Sequence, residues 1–232
     1  MKNIKLYELE ETYRNEESSL KYPTVSYTKD TEKVHYLIKT ELYEWVDLGL
    51  PSGLKWADRN VGATKPEEYG LYFAWGETQG YTEPTDEKQF SWSDYTLCDG
   101  TKNNMTKYNA TDGLTTLEAT DDAATATDSS CRMPTEAELR ELRANTTSGW
   151  TQVNDVNGCI FTSKVNGNSI FVPARGYCVD GAVRSRSIGG LRTSSLYSSN
   201  VQDAMCFFFD SADVTVGSNS RYYGFHVRAV KE

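Results

Sequence analysis

The stretch 178–228 constrains the fold more than any other part of the chain. It contains no Pro, Lys, Glu or Trp, and it is filled mainly by Ser, Asn, Asp, Arg, Gly, Val and aromatic residues. On a folded domain such a composition belongs to a β-rich region with Ser- and Gly-rich surface loops. It also suits a contact surface, where aromatics and Arg are anchors and Ser, Gly and Asn adapt their hydrogen bonds. Period-two alternation over residues 204–209 assigns Phe207 and Phe209 to the core and turns Cys206 and Phe208 outward. In residues 223–230, Phe225 and Val227 face the core of a closing strand. The candidate contact set then joins loop residues Arg184, Ser185, Ser187, Leu191, Arg192, Thr193, Leu196, Asn200, Val201 and Asp203 to strand residues Cys206 and Phe208. Asp210, Ser211, Asp213, Thr215, Gly217, Ser218, Ser220 and Tyr222 complete it.

The residues before this stretch read as a scaffold. Two short strands flank the Pro51-Ser52-Gly53 turn, and Lys65-Pro66-Glu67-Glu68-Tyr69-Gly70 predicts a helical turn with Pro early and Gly after. Tyr72-Phe73-Ala74-Trp75 is dense enough in aromatics to be core. Residues 79–127 read mainly as polar surface loop, with a helical turn at Asp121-Asp122-Ala123-Ala124. Thr135 and Glu138 have capping-box spacing at the start of a helix, where Ala137, Leu139 and Leu142 supply the apolar stripe and Asn145 the stop. Asn166-Gly167 between two β-prone runs predicts a hairpin, since both positions accept positive φ.

Residues 1–41 predict a separate N-terminal arm. Val25, Tyr27, Val34 and Tyr36 alternate around Lys29-Asp30-Thr31-Glu32, the pattern of a β-hairpin. The arm has too few apolar residues to bury a core of its own, so its expected role is assembly or attachment, including contact between copies of the chain. Residues 42–232 form the expected ligand-binding domain.

The net charge of −9 disfavours nucleic-acid phosphates and anionic membrane surfaces. No apolar run has the length of a membrane span, and the charged start predicts no secretory signal. The five cysteines are widely spaced without a CxxC pair, so buried free thiols are expected rather than a metal site. Asp112, Glu118, Asp121 and Asp122 lack EF-hand spacing and read as helix caps. Glu136, Glu138 and Glu141 read as a solvated helix face. No cofactor, metal or catalytic residue is expected.

Several ordered motifs resemble the Fibrobacter succinogenes major paralogous domain of Bacteroides-type bacteria and their phages. They are residues 46–57, Asn60-Val61-Gly62-Ala63, residues 72–78, residues 132–138, residues 166–174 and residues 221–228. The resemblance implies an α+β C-type lectin fold of the formylglycine-generating-enzyme-like subgroup, with short twisted antiparallel sheets, about two helices and long loops. Some members are similar to variable proteins of diversity-generating retroelements, in which copying errors at template adenines rewrite C-terminal codons. Asn codons altered in this way cannot reach Lys, Glu or Trp, the residues missing from 178–228, although Gln202 and Met205 need another origin. The resemblance implies a non-catalytic receptor-binding protein of a phage or prophage particle, its partner a protein or glycan on a bacterial cell surface. The alternatives are a fixed-specificity adhesion domain at the bacterial surface and, with less support, a formylglycine-generating-type oxidase. The calcium-lectin sugar motifs are absent, and Tyr197-Ser198-Ser199 stands where the family places Trp-Ser-Ser.

Overall fold

A computed structural model describes residues 42–232; the arm predicted over 1–41 lies outside them. Tyr43–Glu232 forms one compact unit. Strands β1 (Trp45–Asp47) and β2 (Lys55–Asn60) form a hairpin in which Trp45 pairs with Ala57. Gly53, at φ +74°, donates its amide to the Leu50 carbonyl and closes the turn. The other edge of β2 receives the last strand, β11 (Arg228–Lys231), with Val230 opposite Trp56.

A single turn of 3-10 helix at Ala119–Asp121 leads into α1 (Ala123–Thr127). Asp122 caps α1 by accepting from the amides of Ala124 and Thr125, and its carboxylate also accepts from the Met133 amide. Helix α2 (Glu136–Asn145) starts with the predicted capping box between Thr135 and Glu138, an arrangement worth about 1 kcal/mol. Its stripe is narrower than expected: Leu139 and Leu142 are buried, while Ala137 is exposed. Arg132 fastens the helix start through two bonds to Glu138, at 2.7 and 2.8 Å.

Strands β3 (Thr146–Val153), β4 (Val156–Ser163) and β5 (Ser169–Pro173) form an antiparallel meander. Asn154 and Asp155 both hold positive φ in the β3–β4 turn, as a two-residue hairpin requires. The predicted β4–β5 hairpin is present, with Gly167 at φ +78°. A small ribbon pairs β6 (Tyr177–Val179) with β7 (Ala182–Arg184). The last sheet has the order β10–β9–β8, from β8 (Gly189–Leu196), β9 (Asp203–Phe209) and β10 (Val214–Ser220).

The expected α+β class, and the C-type lectin arrangement with it, is corrected. Strand makes up 38% of the described residues and helix only 9%, in four small antiparallel sheets and two helices. The cores are built mainly between sheets and loops, with α2 offering Leu139 and Leu142 and α1 only the small Ala123 and Ala124. The main core gathers Trp56, Leu139, Leu142, Phe161, Phe207 and Phe209. A second cluster gathers Tyr72, Phe90, Tyr95, Cys178 and Tyr222. That second cluster corrects the reading of residues 79–127 as mainly surface loop, for Phe90, Tyr95 and Tyr108 within it are buried. Buried Lys88 holds this loop by contacting Glu77 at 2.6 Å and the Asp94 carbonyl at 2.8 Å. The segment at Lys65–Gly70 is a turn, not a helical one, with Glu68 donating its amide to the Lys65 carbonyl.

Candidate functional site

The β8–β9–β10 sheet has two faces fixed by its register. Phe207 pairs with Val216 and Leu191, and Phe209 with Val214 and Gly189. This set forms the inner face, and Phe207 and Phe209 are buried in the main core as the alternation predicts. On the outer face Phe208 pairs with Thr215 and Gly190, and Cys206 with Gly217 and Arg192.

The two ends of the outer face differ. At one end Arg192 is fully buried. Its Nη1 donates to the carbonyls of Ala204 and Asn219 and to the Cys206 Sγ, the last at 2.8 Å. Its Nη2 donates to the carbonyls of Ser220 and Tyr223, at 2.9 and 2.8 Å. The guanidinium lies 4.4 Å from the Phe225 ring centroid. No ion pair to Arg192 is formed among the described residues; carbonyls and a ring face replace a carboxylate. Burial lowers the Arg192 pKa from its ordinary value and raises that of the Cys206 thiol to about 11.

At the other end Phe208 is half-buried. Glycines flank it: a Cβ at Gly217 would come within 3.7 Å of its ring, and one at Gly190 would strike Phe225 at 2.7 Å. Gly190 therefore lets Phe208 meet Phe225 edge to face at 5.6 Å. From Phe225 a row of rings continues to Tyr177 at 5.4 Å and 28° and to Tyr223 at 5.4 Å and 16°. It passes on through Tyr222 to Trp92, at 4.7 and 4.6 Å. Phe225 and Tyr222 are buried, while Trp92, Tyr177, Phe208 and Tyr223 are half-buried. Ring pairs in this range contribute about 0.5–1.5 kcal/mol beyond their burial, so the row is a firm platform. Exposed Arg184 stands opposite Tyr177 across the β6–β7 ladder.

The predicted contact set divides by exposure. Arg184, Ser185, Ser187, Asn200, Ser211, Asp213 and Thr215 are exposed, and Val201, Asp203, Phe208, Asp210, Gly217, Ser218 and Ser220 are half-buried. Leu191, Arg192, Thr193, Leu196, Cys206 and Tyr222 are buried, and their assignment to the contact surface is corrected. Leu191–Leu196 is strand rather than loop. Leu191 belongs to the inner-face core, and Leu196 packs with Trp75 and Tyr108. The Thr193 hydroxyl donates to the Met205 carbonyl at 3.0 Å. Cys206 is sealed by Arg192 and the segment that Arg192 tethers, and Tyr222 lies against Trp92. Phe208, Thr215, Gly217 and Arg184 remain around the row. Asp210, Ser211 and Asp213 sit instead at the β9–β10 turn, and Asn200 bonds Asp203 at the β8–β9 turn.

Trp92, Tyr177 and Tyr223 are platform residues that the sequence reading missed. The one available signal was the placing of Tyr177 immediately before the predicted segment and of Tyr222-Tyr223 near its end. Two further buried guanidiniums follow the pattern of Arg192. Arg221 donates to the Tyr95 hydroxyl and to the carbonyls of Lys107, Tyr108 and Val201, and lies 4.7 Å from the Trp75 ring. Arg228 donates to Asn60 Oδ1 and to the carbonyls of Ala57 and Phe171, and burial lowers its pKa to about 9. All five cysteines are buried, and burial raises the Cys159 and Cys178 thiols to about 11 and about 12. Among the described residues no group of three or more His, Cys, Asp or Glu could hold a metal ion, and no helix is long and apolar enough to cross a membrane. No protein-family model, curated protein or solved structure matches the chain.

Proposed function

We propose that this chain is a non-catalytic ligand-binding protein whose contact surface is the open end of the outer face. The observation that carries the reading is the half-buried row of Trp92, Tyr223, Tyr177 and Phe208 beside exposed Arg184 and Thr215. Rigid rings supply contact area at low entropic cost, and small polar neighbours adapt around them. The composition of 178–228 supports a further step, that a retroelement diversifies the exposed residues of this segment. On that reading the chain is a receptor-binding part of a phage or prophage particle, and its partner is a protein or glycan on a bacterial surface. The thiols favour this over an oxidase, since burial holds Cys159, Cys178 and Cys206 protonated at neutral pH.

Adsorption of the purified protein to whole cells of a panel of Bacteroides-type strains tests the reading. Binding to a subset of strains, reduced at least about tenfold by Phe208→Ala with Tyr177→Ala, is the expected result. Unchanged adsorption of that folded double variant would remove the row from the contact surface.

A further inference from the structure

A cleft of about 290 Å³ opens beside the β9–β10 turn. Scaffold residues Arg143, Ser148 and Trp150 line one side, and Asp210, Ser211 and Asp213 line the turn side. None of these residues belongs to the aromatic row. We propose that the cleft is a second binding site, specific for one neutral sugar ring of a glycan.

Asp210 Oδ1 accepts from the amides of Ala212 and Asp213, at 2.7 and 3.0 Å, and Asp213 Oδ1 accepts from the Val214 amide at 2.7 Å. The second oxygen of each carboxylate has no hydrogen-bond partner among the described residues. The turn amides hold the Asp210 pKa below its ordinary value, so its carboxylate is a charged acceptor at neutral pH. Arg143, in the last turn of α2, makes no ion pair among the described residues, and the Ser148 and Ser211 hydroxyls are likewise unengaged there. Acceptors and donors therefore line the same space.

Charge selects the ligand class. A small anion would meet two carboxylates, and a small cation would meet the Arg143 guanidinium. Hydroxyl groups both donate and accept, so a polyol satisfies both kinds of wall at once. Half-buried Trp150 also lines the scaffold side, but its ring packs against the main core and the surface of the cleft is largely polar, so hydroxyl contacts carry the recognition. The volume falls at the low end of small-ligand pockets, which begin at about 300 Å³; that admits one ring, with the rest of a glycan left in solvent.

The inference rests on the reading of the chain as a binding protein, but on different residues. The test is saturation-transfer NMR on the full chain with D-glucose, D-galactose, D-mannose and N-acetyl-D-glucosamine in turn, and with Nα-acetyl-lysine amide as the cationic probe. At least one sugar should bind with a millimolar Kd. Arg143→Ala and Asp213→Asn, both at exposed positions, should each weaken it about tenfold or more with Tm unchanged, and Phe208→Ala should leave it intact. Absence of binding by every sugar would overturn the proposal, and so would binding of the lysine probe alone. Sugar binding lost in Phe208→Ala but kept in both cleft variants would place the sugar on the row, which overturns the cleft while leaving the proposed function standing.

Discussion

Arg192 and Phe208 stand on the same outer face of one sheet, and their surroundings give them opposite fates. Over Arg192 pass the end of β10 and the turn after it, residues 219–223, whose carbonyls need donors; the guanidinium supplies them and is sealed in. Beside Phe208 lie Gly190, Gly217 and Thr215, which leave its ring half-open. Residue type alone does not decide which side chain meets a partner. What decides it is whether neighbouring backbone groups demand satisfaction, because a buried carbonyl without a donor costs about 1–3 kcal/mol.

The sealed end can be broken first. Arg192→Ala strips donors from the carbonyls of Ala204, Asn219, Ser220 and Tyr223 and should lower the unfolding free energy by about 3 kcal/mol or more, read by urea denaturation. Arg192→Lys should recover little of it, since one ammonium cannot span the same set of acceptors. A near-neutral Arg192→Ala would erase the distinction between the two ends.

The next largest effect is expected at the junction between them. Gly190→Ala drives a Cβ to 2.7 Å from the Phe225 ring and should cost about 1–3 kcal/mol by overpacking. Near-ultraviolet circular dichroism should report the disturbed row. An unchanged spectrum and stability would mean that the rings have room to spare.

A pH series sharpens the account of the buried edge. His226 is buried, its Nδ1–H donates to the Leu71 carbonyl at 3.2 Å, and its Nε2 has no hydrogen-bond partner among the described residues. Burial lowers its pKa to about 3, against about 6.5 for a free imidazole. Between those values the unfolded chain takes up a proton that the native protein refuses. Stability should therefore fall as pH drops from 6.5 toward 3, by up to ~1.4 kcal/mol per unit. His226→Gln should flatten that slope relative to the parent; equal slopes would show that the site accepts a proton in the folded state.

The smallest effect on stability is expected at the open end. Phe208→Ala should cost only about 1 kcal/mol, well below the ~3–5 kcal/mol of a fully buried Phe, while reducing adsorption to cells. A cost in the fully buried range, measured by thermal denaturation, would make Phe208 a core residue and close the proposed surface.

The elements legible in the sequence were those carrying their own local chemistry. The Thr135–Glu138 capping box, the Asp122 cap and the Asn166-Gly167 turn act within a few residues, so spacing reveals them. The alternation of Phe207 and Phe209 is visible for the same reason. What stayed hidden depends on partners far along the chain. β8 is built from Gly, Ser and Thr around Arg192, a composition that reads as loop, and pairing with β9 is what makes it strand. Phe90, Tyr95 and Tyr108 are buried without any period, because a loop, not a helix or strand, carries them inward. The α+β class was implied by the resemblance, and the described residues contradict it with 38% strand and 9% helix. In the candidate site Phe208 was legible from alternation, but Tyr177 and Trp92 join it only through the fold.

The most direct test of the two-ended face is the DNA around the gene. A near-copy of the 3′ coding segment beside a reverse-transcriptase gene would show which codons vary. The account predicts that differences at template adenines fall on exposed or half-buried positions such as Arg184, Phe208, Thr215 and Asp213, and spare Leu191, Arg192 and Cys206. Variation concentrated on the buried codons, or no such copy at all, would contradict it.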